Sequence, residues 1–371
     1  MTTMLNFSIA GASGVLRSEF APLMTYAARH LLPMLGAHTD EATIPDIEAS
    51  LTWHEAAPPL DRYEHQPDLR TMERLDRDLY AGANRVCWFR IDDCRDLHLR
   101  LEWDGARLRV HGDYYFHLSR HALRNRAKHL LLGRRVSTRR ANRFTTLLYY
   151  LVYYPAFWWS EMRLNAHPIH ASGVVTDRGA IVLTGPSGVG KSTLAVALTH
   201  AGARLLSETF LLHRGTDLWS VREPILLDSW SRSWLGDATA TLTPVRGGYV
   251  FSRDGYHCLD RMAERGQAAI VILPYRSTQT ALLPLSAGEA HQRISAHAQI
   301  VKDVRRYWAF AAALEALTPS GLIGRREQAL RRLTATARCY EFRLGPDLSR
   351  DVAVRSILDL LDAPRVSASY G

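Results

Sequence analysis

Apolar residues recur at helical spacing over 18–36 (SEFAPLMTYAARHLLPMLG), whereas 50–56 (SLTWHEA) and 85–91 (RVCWFRI) alternate as half-buried strands do. Residues 97–112 predict a hairpin. Alternating apolar positions flank Asp104-Gly105, a dipeptide that supplies the positive φ of a tight primed turn. From about residue 167 the pattern changes. Two short apolar strands, 170–175 and 180–184, are joined by Asp177-Arg178-Gly179, and a helix over 190–201 stops at Gly202. Strand-like runs follow at 204–206, 210–212, 218–221 and 268–273, and the tail is mostly helical at 301–317, 325–337 and 349–361. Strands alternating with helices predict an α/β domain.

The 371 residues are 47% hydrophobic and 22% charged, which excludes disorder and a disulfide scaffold. That length predicts two domains, here a mixed α/β recognition or packing domain over 1–118 and a second over 165–362. Residues 119–164 would link them. The four cysteines form no C-x-x-C pair, and the N-terminus lacks the basic and apolar regions of a signal peptide, so a cytoplasmic address is expected.

Charge changes the picture at one place. Nine basic residues and no acid lie between Arg120 and Arg143, and this run accounts for the whole net charge of +9. A uniformly basic nucleic-acid binder would look different, so no nucleic acid is expected. The aromatic stretch 144–159 (FTTLLYYLVYYPAFWW) is too short and too interrupted by Pro155 to span a membrane. A buried helix packing under the sheet of the second domain is expected. The basic run beside Trp158 and Trp159 also suggests a surface over 120–159 for an acidic partner or an anionic membrane, with a peripheral location.

One motif carries chemistry. Gly185-Pro186-Ser187-Gly188-Val189-Gly190-Lys191-Ser192 fits G-x-x-x-x-G-K-[ST], and Thr193 follows. Glycines allow backbone N–H groups to turn inward around phosphates, and the start of the next helix adds positive potential. Lys191 would reach the β- and γ-phosphates, and the Ser192 hydroxyl would hold Mg²⁺. The loop sits after an apolar strand and before an apolar helix, as that mechanism demands. ATP or GTP binding is expected. No LSGGQ-like signature and no N-K-x-D motif accompany it, which argues against an ABC ATPase and a GTPase.

His170-Ala171-Ser172-Gly173-Val174-Val175, Gly179, the loop with its flanks (LTGPSGVGKSTLA) and GARLLSE at 202–208 together resemble the kinase domain of HPr kinase/phosphorylase and related serine kinases. Some relatives accompany peptide-modifying gene sets. The resemblance covers roughly 165–362 and implies a P-loop kinase domain of the HPr kinase and phosphoenolpyruvate carboxykinase type. It implies ATP and Mg²⁺ as cofactors, a peptide or protein serine as acceptor, and a homo-oligomer. By the same resemblance Glu208 is the base that deprotonates the serine hydroxyl, and His170 lies near the transferred phosphate and interacts with the catalytic acids. Thr209 stands where the family has a second aspartate, and the downstream glycine-rich signature has only RGGYVFSRDG (246–255) in its place. Phosphorolysis and the HPr protein therefore fall outside what the resemblance supports. Glu223 is the first choice for a second Mg²⁺ ligand, and Asp228, ending an apolar run, is the alternative. Transfer to a small-molecule hydroxyl, and a nucleotide-gated binding module with little turnover, stay open.

Overall fold

A computed structural model describes residues 2–35, 44–59, 67–118, 121–132, 140, 143–241, 243–244, 254–257 and 261–362. The protein is mixed α/β and built on two large mixed sheets. It divides into two compact units, one comprising residues 1–166, 245–253 and 303–322, the other 167–244, 254–302 and 323–371. Residues 303–322, expected in the C-terminal domain, thus belong to the first unit, as does the 119–164 segment expected as a linker.

The first unit holds β1 (Thr3–Ile9), β2 (Ala12–Ser18), β3 (Ile47–His54), β4 (Glu73–Asp76), β5 (Leu79–Ala81), β6 (Arg85–Trp88), β7 (Leu97–Trp103) and β8 (Leu108–Tyr115). They form one sheet in the order β1-β2-β3-β8-β7-β6-β5-β4. The helix expected over 18–36 is shorter. Ser18 ends β2, Pro22 starts a helix over Ala21–His30, and a 3₁₀ turn over Leu32–Met34 follows. The 97–112 hairpin forms as β7 and β8, but its turn is not the two-residue primed type. Trp103 pairs with Leu108, and the Asp104 carboxylate accepts from the N–H groups of Ala106 and Arg107, closing a four-residue loop.

The aromatic stretch is a buried helix, yet it packs in the first unit and not under the second unit's sheet. Trp158 meets Trp103 of β7 edge-on at 5.0 Å, and Tyr150 meets Trp88 of β6 at 6.3 Å. Tyr154 and Phe157 pack on Tyr307 of the helix Lys302–Glu315, and the Tyr307 hydroxyl donates to the Glu161 carboxylate. Pro155 does not break the helix, because a π turn over Tyr149–Tyr153 precedes it and takes up the missing N–H and the ring's bulk. Burial of Trp158 and Trp159 removes them from any membrane surface. The basic helix Ala122–Leu131 keeps Arg124, Arg126 and Lys128 exposed, beside exposed Leu123, Leu130 and Leu131. The rest of the basic run, apart from Arg140 and Arg143, lies outside the described residues. So does most of 246–255. No helix among the described residues is long and apolar enough to cross a membrane.

The second unit holds β9 (His167–Thr176), β10 (Gly179–Thr184), β11 (Arg204–Ser207), β12 (Phe210–Arg214), β13 (Asp217–Ser220), β14 (Ile225–Leu227), β15 (Thr243–Pro244), β16 (Asp254–His257), β17 (Arg265–Arg276), β18 (Ala281–Leu285) and β19 (Arg338–Leu344). Its large sheet runs β10-β9-β12-β13-β17-β19-β18, and β10 also pairs with β17, so five strands close into a ring. The long strands β9 and β17 make the closure. Near its start β9 pairs with β12, and further on with β10 and β11. Close approach at the bend needs a missing side chain, since a Cβ on Gly266 would lie 2.8 Å from Val175 Cγ2. β10, β17 and β19 run parallel, and β10 and the middle of β17, buried on both faces, read as apolar runs.

The helix Lys191–His200 follows β10 and is buried from Thr193 through Thr199, so it is apolar almost all round. Gly202 stops it at φ +110°. The helix Ser229–Leu235 packs against it, with Thr193 Oγ1 donating to Ser231 Oγ at 2.9 Å. The helical tail is interrupted by β19. The helix Ala287–Ile300 was not anticipated, although Ser286 and Glu289 form a reciprocal capping box that marks its start.

Candidate functional site

The apolar strand β10 delivers the chain to the loop 185–192, and the next helix begins at Lys191. Gly185, Gly188 and Gly190 have φ of +147°, +81° and +103°, values that side chains resist, so the sequence spaces its glycines where the loop turns. Ser187 and Val189 complete the curve, and Thr193 is held in the first turn of the helix by Ser231.

Lys191 folds back over the loop. Its Nζ donates to Gly185 O at 3.0 Å and to Pro186 O at 2.8 Å. Burial pulls its pKa down from 10.5 to about 8, against the opposing charge of Glu208. An unfolded chain restores the ordinary value and so binds more protons between about pH 8 and 10.5. Lys191 therefore costs stability below pH 8 and releases that cost as the pH rises through this window.

Glu208 reaches the loop from the far side of β9. Strands β11 and β12 pair with successive parts of β9, and the chain kinks between them at Glu208-Thr209. The kink is pinned by Ser172 Oγ donating to Glu208 O, and by Ala171 N donating to Thr209 O at 3.0 Å. The carboxylate then points at the first turn of the helix, where Ser192 Oγ donates to Oε1 and Thr209 Oγ1 donates to Oε2. Burial raises its pKa, while the two hydroxyls and Lys191 oppose the rise. Thr209 acts as an orienting hydroxyl for the carboxylate. A buried carboxylate with a raised pKa, fixed against a loop hydroxyl, can accept a proton or face a cation.

His170 sits on β9 opposite Phe210, and its carbonyl accepts from Thr184 Oγ1 at 3.0 Å at the point where the loop begins. Its ring faces the backbone of Gly185, and its Nδ1 meets no hydrogen-bond partner among the described residues. Burial, with Lys191 and His297 nearby, pushes its pKa down to about 3, so the imidazole is neutral. Among the described residues the groups acting on the Glu208 carboxylate are Ser192, Thr209 and Lys191, and His170 is not one of them. The histidine braces the loop instead.

The two further metal candidates separate. Glu223 is buried two residues beyond Val221, whose N–H donates to Ser207 Oγ at 2.7 Å, so its chain passes beside the strand end that carries Glu208. Asp228 is exposed and caps the helix Ser229–Leu235, accepting from Ser231 N at 2.7 Å. That capping bond gives Asp228 a structural role. Among the described residues no three His, Cys, Asp or Glu side chains converge as a metal-holding group. One hydroxyl and one carboxylate are the sparse, hard-oxygen donor set of a Mg²⁺ held chiefly through substrate phosphates and water, and Ser192 with Glu208 fits it.

Two cavities flank the loop. One, of about 230 Å³, opens beside Val189 and Gly190 and is walled by Trp230, Trp234 and Arg276. The tryptophans stack at 6.3 Å, and the Arg276 guanidinium lies 5.4 Å from the Trp230 ring centre. The other, of about 440 Å³, lies on the Pro186 side and is lined by Arg293, His297, Glu341 and Arg343. Sequence reasoning missed both. The tryptophans do carry a signal, an i, i+4 aromatic pair one helix beyond the apolar strand run, but nothing in the sequence ties it to the loop. No family model matches the chain, and no curated protein matches it.

Proposed function

We propose that the protein is an ATP-dependent kinase of the HPr kinase-like P-loop type, transferring the γ-phosphoryl group to a serine hydroxyl of a peptide or protein. The observation that carries this reading is the juxtaposition of Lys191, Ser192 and Glu208 at the mouth of a glycine loop. In this reading the loop amides and Lys191 bind the triphosphate, with the ammonium leaving the carbonyls of Gly185 and Pro186 for phosphate oxygens. Ser192 and Glu208 are the donors that would hold Mg²⁺, which supplies charge neutralisation of the β- and γ-phosphates when bound. Glu208 orients the acceptor hydroxyl and accepts its proton as the phosphoryl group transfers, and Thr209 holds the carboxylate in that pose. His170 keeps the start of the loop in place. Positioning and electrostatics then carry most of the rate.

The cavity walled by Trp230 suits the nucleobase, since flat rings stack on indole faces. Trp230→Ala is expected to weaken nucleotide binding by about 1–3 kcal/mol, roughly 5- to 150-fold in Kd, read by fluorescence titration. Unchanged affinity would move the base elsewhere.

Binding should also move a proton. Phosphates close to Lys191 restore its charged form, so calorimetry at pH 8 in buffers of different ionisation enthalpy is expected to report uptake of about half a proton, falling toward zero at pH 6. No buffer dependence at pH 8 would contradict the role given to Lys191.

A second reading, a nucleotide-gated binding module with little turnover, is favoured by one feature: both Glu208 oxygens are already engaged by hydroxyls of the chain itself. Incubation with γ-labelled ATP and lysate, split into protein and small-molecule fractions, separates these readings. Label in protein supports the serine kinase, label in small molecules the hydroxyl kinase, and label in neither the binding module.

A further inference from the structure

The cavity on the Pro186 side of the loop has a construction that neither fold nor nucleotide binding requires. Three elements converge on it. Strand β19 places Glu341 and Arg343 two residues apart and so on one face, in register with Leu273 and Tyr275 of β17. The helix Ala287–Ile300 adds Arg293 and His297, four residues apart and so on one face. Pro186 brings the loop itself to the rim.

The charges do not balance. Arg293 Nη1 and Arg343 Nε both bind the one Glu341 carboxylate, the latter at 2.6 Å. The Glu341 side chain is 10% exposed, while those of Arg293 and Arg343 are 42% and 46% exposed. A buried carboxylate therefore holds two open guanidiniums by their edges and leaves an excess positive charge in the pocket. His297 adds hydrogen bonding without charge, since burial, Lys191 and Arg293 all lower its pKa. A Cβ placed on Gly185 would lie 3.8 Å from its Nδ1, so the ring stands directly against the start of the loop.

We propose that this pocket is the acceptor site and that it selects a hydroxyl-bearing acceptor with a neighbouring carboxylate, bound by the forks of Arg293 and Arg343. This rests on the kinase reading above. One cavity meets the loop at Val189 and Gly190 and the other at Pro186, and the two share Ser277, which suits a donor in one and an acceptor in the other. A volume of about 440 Å³ accommodates a few residues of an extended peptide. Guanidiniums pair with carboxylates through two parallel hydrogen bonds, and that geometry fixes orientation as well as affinity.

The test compares two end-blocked serine peptides, one with glutamate and the other with glutamine on both sides of the serine. Binding to the full-length protein is measured by calorimetry alongside phosphorylation. The glutamate peptide is expected to bind about tenfold or more tightly, with the preference falling as salt rises. Arg293→Gln and Arg343→Gln should each erase most of that preference while leaving the Kd for Mg-ATP unchanged. Arg293→Glu should disfavour the glutamate peptide below the glutamine one. Equal binding of both peptides to the wild-type protein, binding of neither, or a preference that survives both glutamine variants would overturn the assignment. A protein that takes up Mg-ATP but fails this test leaves the kinase reading standing, whereas one that takes up no nucleotide fails that reading first.

Discussion

Lys191→Ala is expected to lower phosphoryl transfer by at least about 10²–10³-fold while leaving the fold intact. The side chain is buried, so its loss leaves a gap, but the group removed is a desolvated cation whose pKa of about 8 marks it as strained. Relief of that strain offsets the lost packing. A thermal unfolding midpoint at pH 7 within a few degrees of wild type, with transfer abolished, would separate the electrostatic role from a structural one. A variant that loses activity only because it no longer folds would not support the account.

Glu208→Gln is expected to keep the affinity for ATP without Mg²⁺ near wild type and to reduce transfer by about 10²–10⁴-fold, the usual contribution of a positioned general base. Glutamine keeps the shape: its amide oxygen can accept from one of the Ser192 and Thr209 hydroxyls while its NH₂ donates to the other, so the loop should hold its form. It cannot accept the proton of the acceptor hydroxyl. Single-turnover measurement with γ-labelled ATP reads the chemical step directly. Near-normal transfer would remove Glu208 from the base role and leave it as a metal-side or structural carboxylate.

The loop was legible because its chemistry is local: three glycines at positive φ, a lysine and a serine must be contiguous to make it. The apolar strands at 180–184 and 268–273 were legible for a related reason, since burial on both faces leaves no polar alternation to confuse them. The aromatic helix was read as buried but assigned to the wrong partner. Its neighbours Trp88, Trp103 and Tyr307 lie far from it in sequence, and no periodicity encodes which apolar face it meets. Asp228 shows a similar limit, because an acid after an apolar strand is equally the start of a helix, and the bond it accepts from Ser231 N is not legible in the pattern. Arg293, His297, Glu341 and Arg343 come from a helix and a strand some fifty residues apart, so their convergence beside the loop is a property of strand order alone.

In the proposed reading the loop at 185–192 grips a triphosphate through Lys191, with Mg²⁺ between Ser192 and Glu208. Titration of the protein with ATP in a calorimeter, with and without Mg²⁺, tests it most directly. Saturable one-site uptake that tightens with Mg²⁺ and is largely lost in Lys191→Ala is the predicted result. No heat of binding, or an affinity indifferent to both the metal and the lysine, would contradict it.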